Sequence, residues 1–345
     1  MRSGRLDKAR ARIGCSATRL RCRRVRARRS MLLPGSAAGA GAGSFSILIG
    51  AASQRLPPER RSFASGFINA GGSFGQFVFA PIMQASIGAW GWVAAMYLMA
   101  ATSLATLPLA YWLRGQRKPV AQAQAGASAD ANGRAAAPAP AELTLRAQLR
   151  IALRDKSYWC LHAGFFTCGF HIAFLITHLP GEVSLCGLNP NVAATSLAII
   201  GLANIAGSLG VGYLGNIYRM KWLLFWMYFT RAVAVLLYLA APKTPMTFYV
   251  FAAVLGLTWL ATVPPTAGLT AKLFGVRYLA TLFGLTLLSH QIGGFFGAWL
   301  GGIAVSNSGS FLWMWWADAA LALAAALVNL PIREAVPQRL KTAAA

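Results

Sequence analysis

The chain has 345 residues, of which 12% are charged and 57% hydrophobic. A soluble domain carries about 25% charged residues, so this composition excludes an ordinary soluble enzyme and points to a membrane protein. The formal net charge of +24 suggests nucleic acid, but 12 of the 32 Lys and Arg fall in residues 1–30 and the others lie almost entirely between apolar runs. No nucleic-acid partner is therefore expected.

In chain order, residues 1–30 form a basic tail without the apolar centre of a secretory signal. Runs of about 20 apolar residues, the length a bilayer-spanning helix needs, follow at 31–53, 63–87, 90–113, 157–180, 192–215, 222–241, 246–269, 278–304 and 311–332. These predict an all-α membrane protein with about nine transmembrane helices. Arg231 and Asp318 are the formal charges inside them, and the histidines are His162, His171, His178 and His290. His162 and His171, nine residues apart on one span, face roughly opposite sides of it.

The stretch 114–156, rich in Ala, Gly, Pro and Gln in its middle, reads as a flexible linker. It separates 31–113 from 157–333, and 334–345 forms a terminal tail. The five cysteines have neither disulfide nor zinc-site spacing and read as free thiols. Glycines spaced by four, at 35/39/43, 71/75 and 293/297/301, give faces where helices approach closely, for packing or for sliding.

The loops carry the orientation. One set of alternate connections, with the C-terminal tail, holds 18 Lys and Arg, while the opposite set holds one, Lys243. Short cytoplasmic loops collect cations, so the first set and the C-terminus are expected on the cytoplasmic side of the inner membrane. The turn "GYLGNIYRMK", Gly212 to Lys221, is one of these.

That turn resembles the weaker copy of the loop signature of the major facilitator family, G-x-L-[GA]-D-[RK]-[FY]-G-R-[RK]. It matches at Gly212, Leu214, Gly215, Tyr218 and Lys221, has Asn216 at the acidic position, and departs at Ile217, Arg219 and Met220. The stretch "RRSFASGFINAGGSFGQFVFAPI" resembles the fifth-span signature of the family's monocarboxylate-porter branch, through Arg60, Arg61, Phe63, Ala64, Gly66, Ala70 and Gly71. The resemblance implies a partial major facilitator fold, spans four to twelve of twelve. It also implies a secondary transporter of a small organic anion, by proton symport or exchange. Two alternatives stay open: efflux of a neutral or amphipathic compound, and a membrane protein that does not transport. No P-loop, paired carboxylates or Ser-His-Asp pattern is present, so neither an enzyme nor a cofactor is expected.

The family layout places the fifth, eighth, tenth and eleventh spans around the cavity. His290 and Gln291 lie in the eleventh, where related oxalate and formate exchangers hold a cation for substrate carboxylate. A protonated His290 can serve instead, or it can bond a neighbouring helix. Trp259 and Thr262 precede Pro264 and Pro265, which lack backbone donors and break the tenth span. Asn69 and Asn204 are polar groups on the fifth and eighth spans, either for substrate or for a neighbouring helix. Arg231 must be paired or hydrated at mid-span, and Asp318 is a candidate partner. The layout puts Arg231 outside the cavity, in a structural role. Nine spans with a cytoplasmic C-terminus would leave the basic tail outside, against the charge rule. The tail is therefore expected to be foreign to the fold, and the chain as written a truncated product that does not transport.

Overall fold

The computed structural model describes residues 45–112 and 144–334, with the backbone alone at residues 103 and 105–112. The basic tail, Gly35, Gly39 and Gly43, the middle of the linker and residues 335–345 lie outside the described residues. All the described regular structure is helical. The helices are α1 (Phe45–Arg55), α2 (Pro58–Trp112), α3 (Leu145–Arg154), α4 (Lys156–Leu185), α5 (Pro190–Leu214), α6 (Met220–Ala240), α7 (Pro245–Thr258), α8 (Val263–Phe274), α9 (Leu279–Ser308) and α10 (Leu312–Asn329). Seven stretches are long and apolar enough to cross a membrane, with α7 and α8 counting together as one.

The predicted spans 63–87 and 90–113 follow each other within α2 as two helices that join at Gly91 without a loop. At about 1.5 Å per residue a straight helix over all 55 residues of α2 would far exceed the roughly 30 Å apolar slab. Gly91 breaks it, with φ 79° and ψ 171°, a conformation open to glycine because it lacks Cβ. A second difference concerns the linker. Its last residues form α3, whose first turn is capped by the Thr144 hydroxyl accepting from Ala147 N. Ala152 of α3 is buried with Tyr158 and Leu282, against Leu149 and Phe274. The following span starts at Lys156 and runs to Leu185, five residues beyond its expected end.

The surface is apolar in a way water would penalise. Trp90, Phe67, Phe295, Trp226, Trp316 and Trp299 are all more than half exposed, as side chains facing lipid tails are. Inside, helices meet through glycine. A Cβ on Gly169 of α4 would fall 1.8 Å from the His290 carbonyl oxygen, and one on Gly293 or Gly297 of α9 would fall 2.0–2.1 Å from those of Phe166 and Phe170. The 293/297/301 face is thus the seam between α4 and α9. The Gly71/Gly75 face differs, since a Cβ there would meet nothing within 4 Å.

The turn before α6 is closed by the far end of the chain. The Glu334 carboxylate accepts from Met220 N (3.1 Å) and Lys221 N (3.0 Å), satisfying free amides at the start of α6. It also takes Lys272 Nζ at 2.6 Å, while Arg219 donates to the Glu334 carbonyl at 2.6 Å. Nearby, Asp155 caps α4 through Ser157 N and pairs with Arg333. The two cations of the turn cap backbone carbonyls after α10, Arg219 at Glu334 and Lys221 at Leu330 (2.9 Å).

Candidate functional site

Span ten, α7 plus α8, is interrupted over Trp259–Thr262, one turn before the prolines. The position follows from helix hydrogen bonding. Pro264 and Pro265 cannot donate to the carbonyls four residues back, at Leu260 and Ala261. Trp259 turns to φ −50°, ψ −83°. Val263 N then bonds the Leu260 carbonyl, three residues back, instead of that of Trp259. Backbone groups released within an apolar slab must be satisfied by something else.

Four other helices supply it, and a fifth packs alongside. From α6, Arg231 Nη2 donates to the carbonyls of Thr258 (2.8 Å) and Trp259 (3.0 Å). From α2, Asn69 Nδ2 donates to the Leu260 carbonyl at 2.9 Å, as a second donor beside Val263 N. From α5, Asn204 Oδ1 accepts from Leu260 N at 2.9 Å. From α4, the Cys168 thiol lies 3.8 Å from the Trp259 carbonyl and 3.4 Å from Thr262 Oγ1. From α9, the His290 ring packs on Phe165 of α4, with centroids 5.5 Å apart. Asn69 and Asn204 are also tied across α2 and α5, by Asn69 Nδ2 to Ser208 Oγ (2.6 Å) and Asn204 Nδ2 to Ser73 Oγ (2.5 Å).

The sequence-selected residues therefore assemble, with distinct roles. Trp259, Thr262, Asn69 and Asn204 are at most 2% exposed and hold the break together. The Trp259 ring is packed inside the protein and does not face lipid. His290 is partly exposed and Gln291 exposed, and their side chains meet at 3.3 Å. The helix seam brings only His290 to the group around the break.

Two expectations change. Arg231 does not pair with Asp318. It sits on the buried face of α6, in register with Leu224, Tyr228, Val235 and Tyr238, and points into the bundle. Its charge faces the carbonyl end of α7, which carries a partial negative charge. Among the described residues no carboxylate lies within ion-pair distance of it, and its Nε and Nη1 make no hydrogen bond. Asp318 instead meets His171, Oδ2 to Nδ1 at 2.5 Å, with both side chains fully buried. His162, on the other side of α4, bonds α9 at Ser289 Oγ (2.6 Å), and His178, two turns beyond His171, bonds it at the Ala298 carbonyl (2.8 Å). Sequence reasoning did not single out Cys168 or Tyr228. The i, i+3/i+4 register of Arg231 with the large apolar residues of α6 was the signal that it faces inward.

A multi-pass helix bundle with a broken span near its middle, gripped by polar side chains from its neighbours, is the architecture of a secondary transporter. The chain belongs to the Major Facilitator Superfamily, whose family model matches residues 28–220 and 185–345. It is similar to monocarboxylate transporter 13 of Rattus norvegicus, at 25% identity over 256 residues, covering 73% of this chain and 55% of that protein. Monocarboxylate transporter 13 of Bos taurus is also 25% identical, over 258 residues, with the same coverage. The chain thus spans about half the length of the curated relatives it matches.

Proposed function

We propose, in place of the expectation that the chain as written does not transport, that it is a transporter of a small organic anion of the monocarboxylate type, working by proton symport or exchange. Arg231 is the observation that carries the reading. It is a permanent cation in the middle of a span, held by neutral carbonyls, with two guanidinium nitrogens free of hydrogen bonds. Such a group attracts a carboxylate. His290, packed on Phe165 of α4, adds a second, proton-dependent cation. The names of the two relatives agree with an anionic substrate. The 18-to-1 distribution of loop cations supports an inner-membrane orientation with the C-terminus and the Glu334 cluster cytoplasmic. In this reading 31–113 belongs to the N-terminal bundle, 157–333 forms the C-terminal bundle, and 114–156 connects them on the cytoplasmic side.

The test is uptake by the purified 345-residue chain in liposomes, with a panel of labelled mono- and dicarboxylates and one neutral amide analogue. Saturable uptake of a monocarboxylate is expected, falling about tenfold or more in His290→Ala while protein yield is kept. Equal uptake of the amide would favour movement of neutral compounds. Failure to move any acid would remove the proposal.

A further inference from the structure

The His171–Asp318 pair takes no part in holding the break. It joins α4 to α10 in the interior, both side chains fully buried. Ionisable groups inside a membrane span are costly and are kept where they do something. A purely structural buried pair has its remaining acceptors and donors satisfied. This one does not: His171 Nε2 and Asp318 Oδ1 are buried without a hydrogen-bond partner, as are Nε and Nη1 of Arg231.

The groups around the pair are few. Arg231 of α6 and His171 both meet Trp259, Arg231 at its carbonyl (3.0 Å) and His171 edge-on at its indole (5.7 Å). Beside Arg231 stands Tyr228 of its own helix, 5.3 Å from ring centroid to guanidinium; Cys168 of α4 reaches the same Trp259 carbonyl, and His290 of α9 packs on Phe165. With an ionised Asp318, a charged Arg231 and a neutral His171, the cluster has no net charge. His171 Nδ1–H then donates to Asp318 Oδ2, and the lone pair of Nε2 is the open basic site.

We infer that the His171–Asp318 pair is a proton-binding site that sets the net charge beside the break of span ten. This rests on the reading of the chain as an anion transporter. A proton from water adds to the Nε2 lone pair, the Nδ1–H···Oδ2 bond stays, and Asp318 remains a carboxylate. The cluster gains one positive charge. An entering carboxylate restores neutrality at the free nitrogens of Arg231. Proton and anion then strengthen each other's binding by the same factor, as linkage requires. Departure of the anion makes the proton easier to lose, so the two travel together.

The experiment uses the full chain, purified in detergent with 15N-labelled histidine, and the nitrogen resonances of His171, identified by their loss in His171→Gln. A reversible change from neutral imidazole to imidazolium between about pH 5 and pH 8 is expected. Asp318→Asn should remove that step from the window. In liposomes, Asp318→Asn should keep exchange of labelled for unlabelled lactate while uphill accumulation driven by a pH gradient falls about tenfold or more. If Asp318→Asn does not fold, Asp318→Glu and the wild-type titration carry the test. A His171 that holds one protonation state across the window overturns the proton site, whether or not the chain transports. Gradient-driven accumulation undiminished in Asp318→Asn overturns it as well. A titrating His171 in a chain that moves no acid supports the proton site and defeats the transport reading instead.

Discussion

Arg231 on α6 and Trp259 at the end of α7 are joined by a hydrogen bond of 3.0 Å from Nη2 to the Trp259 carbonyl, with a companion bond of 2.8 Å to Thr258. The guanidinium thus stabilises a helix end that the two prolines beyond it leave open. Replacing Arg231 with Leu is predicted to cost about 3 kcal/mol or more, because two buried carbonyls lose their charged donor. Arg231→Lys keeps the charge but not the fork, and should fall between. Thermal melting followed by size-exclusion fluorescence measures this; an unchanged midpoint in Arg231→Leu would refute the capping role.

The seam between α4 and α9 leaves no room for side chains. Gly169→Ala places a methyl 1.8 Å from the His290 carbonyl, with backbone on both sides of the clash. It is predicted to destabilise by about 1–3 kcal/mol, the range for overpacking. Gly71→Ala, where a Cβ meets nothing within 4 Å, should be neutral or slightly stabilising, since alanine favours helix. The two variants compared in one melting series test the packing directly. Equal effects would contradict it.

Glu334 is predicted to matter more than a surface carboxylate. Its side chain is fully buried, and it serves two backbone amides and Lys272 together. Glu334→Ala should cost about 1–2 kcal/mol, as loss of a helix cap does, and loosen the Gly215–Met220 turn. Hydrogen exchange at the start of α6 reads this. Protection unchanged at Met220 and Lys221 would show that the terminus does not hold the turn.

At the opposite end, Cys186 gives a pH-dependent reporter. Burial and the Glu182 carboxylate push its thiol above the usual range, partly offset by Lys243. A raised value means less thiolate at neutral pH, so maleimide labelling should be slow there and climb steeply as the solution becomes alkaline. Glu182→Gln removes the negative charge and should speed labelling at neutral pH. In the proposed orientation an impermeant reagent reaches Cys186 from outside the cell only. Labelling from the cytoplasmic side alone would invert the topology.

Much of the fold was readable because its causes are local. The apolar runs and the paired prolines each act over one helix or less, and they marked the spans and the broken one. Gly91 was less legible: two adjacent apolar runs look the same whether a loop or one strained residue divides them. The short helix α3 at the end of the linker interval was not read from the sequence, because its buried face is defined by Tyr158 and Leu282, which lie outside it.

The polar site was legible as a set of residues but not as an arrangement. Hydropathy and motif spacing singled out Asn69, Asn204, Trp259, Thr262, His290, Arg231 and Asp318, because polar groups in apolar helices stand out wherever they point. Which of them meet depends on how each helix is rotated and how closely it approaches its neighbours. That is set by contacts such as Gly169 against the His290 backbone, between residues far apart in the chain. By itself the sequence determined a basic-looped, multi-pass helical protein with a break in one span, since those follow from transfer energies and backbone chemistry along a single segment. Only the tertiary structure decided that Asp318 meets His171 and that Arg231 closes the broken helix, because a buried charge settles on whichever partner the packing of other helices brings within reach.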